Sequence, residues 1–161
     1  MAQSLYQSAL IFNLNTRLFL NALDGVTEEQ AKERISDHNN PLNWLAVHTV
    51  WARYNIAGLL GKQVDNPYNG LFESFKPFDP NFKYATLAEA KAEWQKASEL
   101  LKEALATVTD DRLAAEAPFK SPAGDFTIGG TIAFLAQHES YDIGQIAYLK
   151  KYFTKEAMSY N

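Results

Sequence analysis

The feature that most constrains the fold is a long helical pattern near the carboxyl end of the chain, residues 127–153. Residues three and four apart lie on one face of a helix. One such stripe is apolar at both ends and polar in its middle, and it contains Leu135, His138, Asp142, Gln145 and Leu149. An ionised carboxylate on a core-facing stripe is costly unless a cation or hydrogen bonds compensate its charge. A metal, a protonated histidine or a hydrogen-bond set could each compensate it, and which one does so determines what the chain can do.

Length and composition limit the class of protein. The 161 residues are enough for a single domain over 1–161, one that buries roughly 70% of its unfolded surface. A net charge of −4, with no basic run longer than Lys150–Lys151, argues against nucleic-acid and anionic-membrane partners. The chain has no cysteine, which excludes disulfides, cysteine zinc sites and a cysteine nucleophile. It has no signal-peptide pattern and no apolar run of roughly 18–20 residues, so we expect a cytoplasmic protein.

Four long amphipathic segments, with no convincing strand and no internal repeat, predict an all-α four-helix bundle. Capping boxes begin at Thr27 and Thr86, and Thr127 is placed to cap the last helix. The pair Asn40-Pro41 is a start signal, with Asn as N-cap and Pro at the first helical position. The predicted long helices cover residues 4–23, 41–60, 86–108 and 127–153, and a short helix covers residues 27–35.

The connection between the second and third long helices, residues 63–85, is unusually long for a compact domain. It is long enough to return along a helix of about 30 Å, which predicts up-down-down-up order for the four long helices. Its aromatic residues are expected to pack this crossover against the bundle, and a role as a pocket lid is the alternative. These residues are Tyr68, Phe72, Phe75, Phe78, Phe82 and Tyr84.

The second long helix also carries a histidine in an apolar stripe. This residue is His48, and Asn55 follows two turns later. If His48 meets His138 and Asp142, two imidazoles and one carboxylate can bind a divalent metal such as zinc, nickel or iron and leave coordination positions open. From spacing alone, a buried His–Asp hydrogen-bond network that rigidifies the core is the stronger alternative. The remaining histidine, His38, is expected at the surface.

Two segments of the chain carry a resemblance to a known family. The segment NPLNWLAVHTVWA contains His48, and the segment TIGGTIAFLAQHESYDIGQIAYLKK contains His138, Asp142 and a Gly-Gln pair. The chain resembles the DinB-like superfamily of small four-helix proteins, including its DinB/YfiT-like metal-dependent hydrolases and its thiol-dependent transferases. The resemblance implies that His48 and His138 are two metal ligands and that Asp142 stands in place of the third ligand histidine. Glu139, about 100° around the helix, is a poor substitute for that ligand.

The resemblance implies an enzyme that uses a divalent metal on a small-molecule substrate, either a thiol-dependent transferase or a hydrolase. Because the chain has no cysteine, a thiol nucleophile would be a low-molecular-weight cosubstrate. Asn55 and Gln145 are candidates for substrate contacts or for orienting the ligands, and no catalytic residue stands out. The alternative is a non-catalytic, metal-free bundle that binds a small molecule or forms a structural dimer. Relatives often form homodimers through outer faces, where Tyr6, Phe75 or Tyr152 could make the contact.

Overall fold

The helical elements account for most of the chain. A computed structural model describes residues 5–161, and within this range it contains six α-helices and no β-strand. The all-α fold is therefore confirmed, while the helix start predicted at Ser4 lies outside the described residues. The helices are α1 (Tyr6–Leu23), α2 (Glu28–Lys32), α3 (Leu42–Leu59), α4 (Leu87–Thr107), α5 (Asp110–Ala114) and α6 (Ile128–Thr154).

The four long helices pack into one bundle. Helix α3 packs against α4 and α6, and α1 packs against α6 and α4. The core consists of two groups of buried apolar side chains: one surrounds Phe19 and Trp94, and the other surrounds Phe12 and Ile132. Burial of these side chains is the main source of stability. The up-down-down-up order of the helices stays a prediction.

Threonine hydroxyls cap the starts of four helices, α2, α4, α5 and α6, and the sequence predicts three of these caps. Thr27 and Thr86 form capping boxes with Gln30 and Glu89, respectively. Thr127 accepts a hydrogen bond from the backbone N–H of Gly130 at the start of α6. Each cap satisfies a backbone donor that the first helical turn leaves without a partner. This local chemistry therefore fixes where α2, α4 and α6 begin.

The predicted start of α3 is wrong by one residue. Pro41, not Asn40, is the N-cap residue, and it has an extended backbone with φ −66° and ψ 156°. Its carbonyl accepts the first helical hydrogen bond, from the backbone N–H of Leu45 at 3.2 Å. Proline already has the φ angle of this position, and it makes no side-chain cap hydrogen bond. The predicted end is confirmed, because Gly61 follows α3 with φ +101°.

The connection from α3 to α4 is held by some of its aromatic side chains. Tyr68, Phe72 and Tyr84 are buried, which confirms the packing prediction for these three. The prediction is wrong for Phe75, which is 99% exposed, and Phe82 is also exposed. Regular structure in the connection is limited to a 3-10 turn at Glu73–Phe75. The connection is therefore attached at separate points, and the side chains of the turn between them are exposed.

Candidate metal centre

Two histidines and an aspartate from α3 and α6 converge at one point. Nδ1 of His48 lies 3.0 Å from Oδ2 of Asp142, and Nε2 of His138 lies 3.7 Å from the same oxygen. His138 and Asp142 are one turn apart on α6, while His48 lies on the neighbouring helix α3. His38 is exposed in the loop before α3, as predicted. The structure thus brings together the three residues that the sequence analysis selected.

The three side chains differ in their access to solvent. The Asp142 side chain is 4% exposed, that of His48 16% and that of His138 34%. The carboxylate is therefore held in a largely dry environment, and the imidazoles separate it from solvent. The His48 ring is nearly parallel to the nearest indole, with an interplanar angle of 3°. The aromatic rings that fix the two imidazoles include Trp44, Phe72 and Phe134.

The donor atoms of the cluster could hold a metal ion. Among residues 5–161, this is the one group of three potential ligands whose donor atoms all lie within 4.8 Å of one another. Metal bonds of about 2.0–2.2 Å at tetrahedral angles separate two donor atoms by about 3.4 Å. The distances of 3.0 and 3.7 Å to the Asp142 oxygen bracket that value. Two imidazole nitrogens and one carboxylate oxygen suit zinc, nickel or iron, and three ligands leave coordination positions open.

A cavity of about 1130 Å³ opens beside the cluster. His48 and His138 line it, whereas Asp142 does not. Its walls come from α3, from α6, from the connection after α3 and from the loop after α5. Most of the lining is apolar, as in sites for small organic molecules. The rings and side chains that form these walls include Trp44, Trp51, Phe72, Phe119, Phe134 and Leu135.

The two predicted amide contacts occupy different cavities. Asn55 lines the large cavity, and its Oδ1 is 3.4 Å from Nδ2 of Asn66. Asn66 also donates to the backbone carbonyl of Trp51 at 3.0 Å, which fastens the connection to α3. Gln145 lines a separate cavity of about 340 Å³. Asn55 is therefore placed to contact a ligand of the large cavity, whereas Gln145 is not among the residues that line it.

Two further groups with shifted pKa values line the large cavity. Burial, reinforced by a hydrogen bond to Glu93 at 2.8 Å, raises the pKa of the Tyr54 hydroxyl well above its usual range. A hydrogen bond from the backbone of Gly70 is the main cause that lowers the pKa of the Glu73 carboxyl. Tyr54 is therefore protonated and Glu73 ionised near neutral pH. Neither pKa is tuned toward neutrality, as that of an efficient general acid or base would be.

A buried ion pair lies next to the candidate metal site. Arg53 and Glu139 have side chains that are each only 1% exposed, and they form two hydrogen bonds of 2.8 and 2.6 Å. The other three N–H groups of Arg53 donate to Thr16 Oγ1, Ser98 Oγ and the carbonyl oxygen of Phe12. All five donors of the guanidinium therefore have acceptors. These hydrogen bonds help to offset the desolvation cost of burying the ion pair in the core.

The same pair connects the helices that carry the site. Arg53 lies on α3 five residues after His48, and Glu139 directly follows His138 on α6. Asn15 on α1 donates to Glu139 at 3.1 Å, so contacts of the pair reach all four long helices. From the sequence, Glu139 was considered only as a poor metal ligand, and its pairing with Arg53 was not predicted. The available signal was a single arginine within an apolar stretch of one helix and a carboxylate in the middle of another.

The fold and the cluster together define a class. It is a four-helix bundle that carries a candidate metal site between facing helices and beside a large cavity. The family model described as the DinB superfamily matches residues 11–146, a range that includes all three cluster residues. The chain therefore belongs to the DinB superfamily, as the resemblance implied, with Asp142 in the place of the third histidine. No curated protein and no solved structure matches the chain significantly.

Proposed function

We propose that this protein is a divalent-metal-dependent enzyme that acts on a small molecule. The observation that carries the proposal is the convergence of His48, His138 and Asp142 at the wall of the large cavity. A closed structural metal site would not need a cavity beside it. A metal with three protein ligands keeps coordination positions open, and a cavity beside it would let a substrate reach those positions.

Each side chain has a distinct task in this proposal. His48 and His138 offer neutral nitrogens, Asp142 supplies negative charge that favours a cation, and Asn55 contacts the substrate. A divalent metal held there supplies Lewis acidity, which lowers the pKa of a bound water or thiol. The reaction is then hydrolysis or the transfer of a low-molecular-weight thiol. The chain contains no cysteine, so a thiol nucleophile must come from a cosubstrate.

A metal-free role is the second candidate, and one observation favours it. The separation of 3.0 Å between His48 and Asp142 is also that of a charge-assisted hydrogen bond. In this case the cluster rigidifies the bundle, which binds a small molecule or forms a structural homodimer without catalysis.

Within residues 5–161, no helix is long and apolar enough to cross a membrane. Location in the cytoplasm is part of both proposals.

Metal analysis of untagged protein separates the two functions. We expect close to one equivalent of zinc, nickel or iron per chain after loading, and a melting temperature that falls when EDTA is added. Binding to the native state alone stabilises a protein by about 2.7 kcal/mol at a metal concentration of 100 times Kd. His48→Ala and Asp142→Asn should abolish both the bound metal and this stabilisation.

The chain contains its own control histidine. His38→Ala removes an exposed imidazole from the loop before α3 and should leave the metal content unchanged. If His138→Ala lowers the melting temperature equally with and without EDTA, and no added ion shifts that of the wild type, the cluster is structural. Hydrolysis and thiol-transfer assays on the loaded protein then test the reaction class.

A further inference from the structure

The large cavity is an elongated groove along α3. His48 and His138 line it at one level, and Asn55, Leu59 and Ile128 line it farther along. A helix rises about 1.5 Å per residue, so seven residues from His48 to Asn55 span about 10 Å, and eleven residues to Leu59 span about 16 Å. The ten residues of α6 between His138 and Ile128 cover a similar length, about 15 Å. The groove therefore extends well beyond the immediate surroundings of the cluster.

A cationic side chain lies at the end of the groove far from the histidines. Nε of Arg112 donates to the carbonyl of Leu59 at 2.9 Å, which fixes the guanidinium at the carboxyl end of α3. Arg112 lines the groove, and it forms no ion pair within residues 5–161. Its terminal nitrogens have the planar geometry that binds a carboxylate through two hydrogen bonds.

The other charged groups along the groove do not duplicate this site. Lys76 uses one of its three N–H donors on the backbone carbonyl of Gly70 at 2.7 Å, which holds its ammonium beside the connection after α3. Glu73 lines the wall formed by the connection after α3, and Glu116 lies at the same end as Arg112, where its backbone bridges Thr127 beside Ile128. Glu116 repels an anion that lies beside it, so a carboxylate at this end is favoured only where it pairs directly with the guanidinium. Between the two ends the lining is dominated by aromatic and aliphatic side chains. A matching ligand is therefore apolar in its middle and carries its negative charge at the end near Arg112.

We propose that the groove binds an elongated, mainly apolar acid about 16 Å long. A group that ligates metal lies beside His48 and His138, the apolar body lies along α3 toward Leu59, and a terminal carboxylate pairs with Arg112. The position of the metal-ligating group rests on the proposed function. The apolar body and the carboxylate contact do not depend on it.

Two ligand series and calorimetry of the zinc-loaded protein test this assignment. The first series consists of monohydroxamates of straight-chain dicarboxylic acids of increasing length, and the second consists of their methyl esters. Each buried methylene should increase affinity about fourfold until the chain spans the groove. The acid should then bind about two- to fivefold more tightly than its ester, as expected for an exposed ion pair. Affinity that stops rising after the first few carbons would overturn the proposal.

Arg112 variants test the carboxylate contact. Arg112→Gln should bind the acid and the ester equally, and Arg112→Lys should recover part of the difference. Arg17→Gln, which removes an exposed arginine that does not line the groove, should behave as wild type. A full preference for the acid in Arg112→Gln would contradict the assignment, and circular dichroism verifies that each variant is folded.

A metal-free arm separates this inference from the proposed function. With EDTA present, straight-chain carboxylic acids without the hydroxamate are titrated into wild type and Arg112→Gln. If the affinity of these acids depends on their chain length and on Arg112, the groove assignment is supported even if no metal binds. If hydroxamates bind only through the loaded metal, with no effect of chain length or of Arg112, the metal site stands and the groove assignment fails.

Discussion

At the scale of single residues, the Arg53–Glu139 pair has the largest predicted effect on stability. Both side chains are removed from water, and the guanidinium has every donor satisfied. Its plane also lies over the indole of Trp94, with Cζ 3.7 Å from the ring centroid. Removal of one partner would leave the other charge buried without compensation. The cost of leaving one charge buried and unpaired, not the attraction within the pair, therefore determines the change in the free energy of unfolding.

We expect Glu139→Leu to lower the free energy of unfolding by about 3–5 kcal/mol, because it leaves Arg53 unpaired in the core. The double variant Arg53→Met/Glu139→Leu should be clearly more stable than Glu139→Leu, because neither charge then remains buried. Urea denaturation of the wild type, both single variants and the double variant gives the coupling energy. Additive effects of the two substitutions would show that the pair is not energetically coupled.

The cluster residues could be selected from the sequence, whereas this ion pair could not. His138 and Asp142 are one turn apart, so their shared face follows from helix geometry alone. His48 could be added because it lies in the polar middle of a second apolar stripe. The contact between Arg53 and Glu139 depends on how α3 and α6 are aligned along their lengths, and a single sequence does not contain that alignment.

At the scale of helices, a helix start could be predicted where its cap depends only on residues close in sequence. The caps at Thr27, Thr86 and Thr127 each involve a partner three residues away, so the pattern carries the whole interaction. The start of α3 was misassigned because Asn40 fits the cap statistics while Pro41 supplies the conformation. The sequence could not show that Phe72 is buried and Phe75 exposed, because both outcomes depend on the path of an irregular connection.

Two glycines of α6 predict opposite effects of the same substitution. At Gly130 an added Cβ would lie 2.3–2.6 Å from atoms of Asp125, whose carboxylate accepts hydrogen bonds from the backbone and hydroxyl of Thr127. At Gly144 nothing lies within 4 Å of an added Cβ. Alanine has the higher helix propensity, so Gly144→Ala should stabilise the protein by about 0.5–1 kcal/mol, while Gly130→Ala should destabilise it.

Thermal and urea denaturation of the two alanine variants measure this difference. The backbone hydrogen bond from Thr127 is the largest cause that lowers the pKa of Asp125. Displacement of Asp125 by Gly130→Ala should therefore raise that pKa toward its ordinary value, whereas Gly144→Ala should leave it unchanged. Carboxyl chemical shifts followed as a function of pH report it directly. Equal stability of the two variants would mean that Asp125 moves away at no cost.

At the scale of the whole molecule, helical periodicity was sufficient to predict an all-α bundle. The lack of cysteine excluded a cysteine nucleophile and cysteine zinc sites, and the lack of basic clusters argued against nucleic-acid partners. The large cavity was not predictable, because it depends on the connection after α3 and the loop after α5 lying over the α3–α6 surface. These segments have no periodic pattern, and their positions follow from tertiary contacts such as that between Asn66 and Trp51.

The predicted homodimer has its clearest candidate contact at Phe75. This side chain is 99% exposed, whereas Tyr6 and Tyr152 are 54% and 49% exposed. Phe75 and the preceding Ser74 have φ angles of 57° and 59°, in the left-handed region that costs a non-glycine residue about 1–2 kcal/mol. A second copy that buries the Phe75 ring would offset this cost.

Sedimentation velocity over a range of concentrations tests self-association. We expect the wild type to approach twice the chain mass of 18.1 kDa. Phe75→Ser should shift the equilibrium toward the monomer, because burying a phenylalanine side chain contributes about 1.5–3 kcal/mol. Tyr6→Ser and Tyr152→Ser serve as matched controls and should dimerise as the wild type does. Dissociation caused by either control would place the contact on α1 or α6, and a wild type that is monomeric at every concentration would rule out the homodimer.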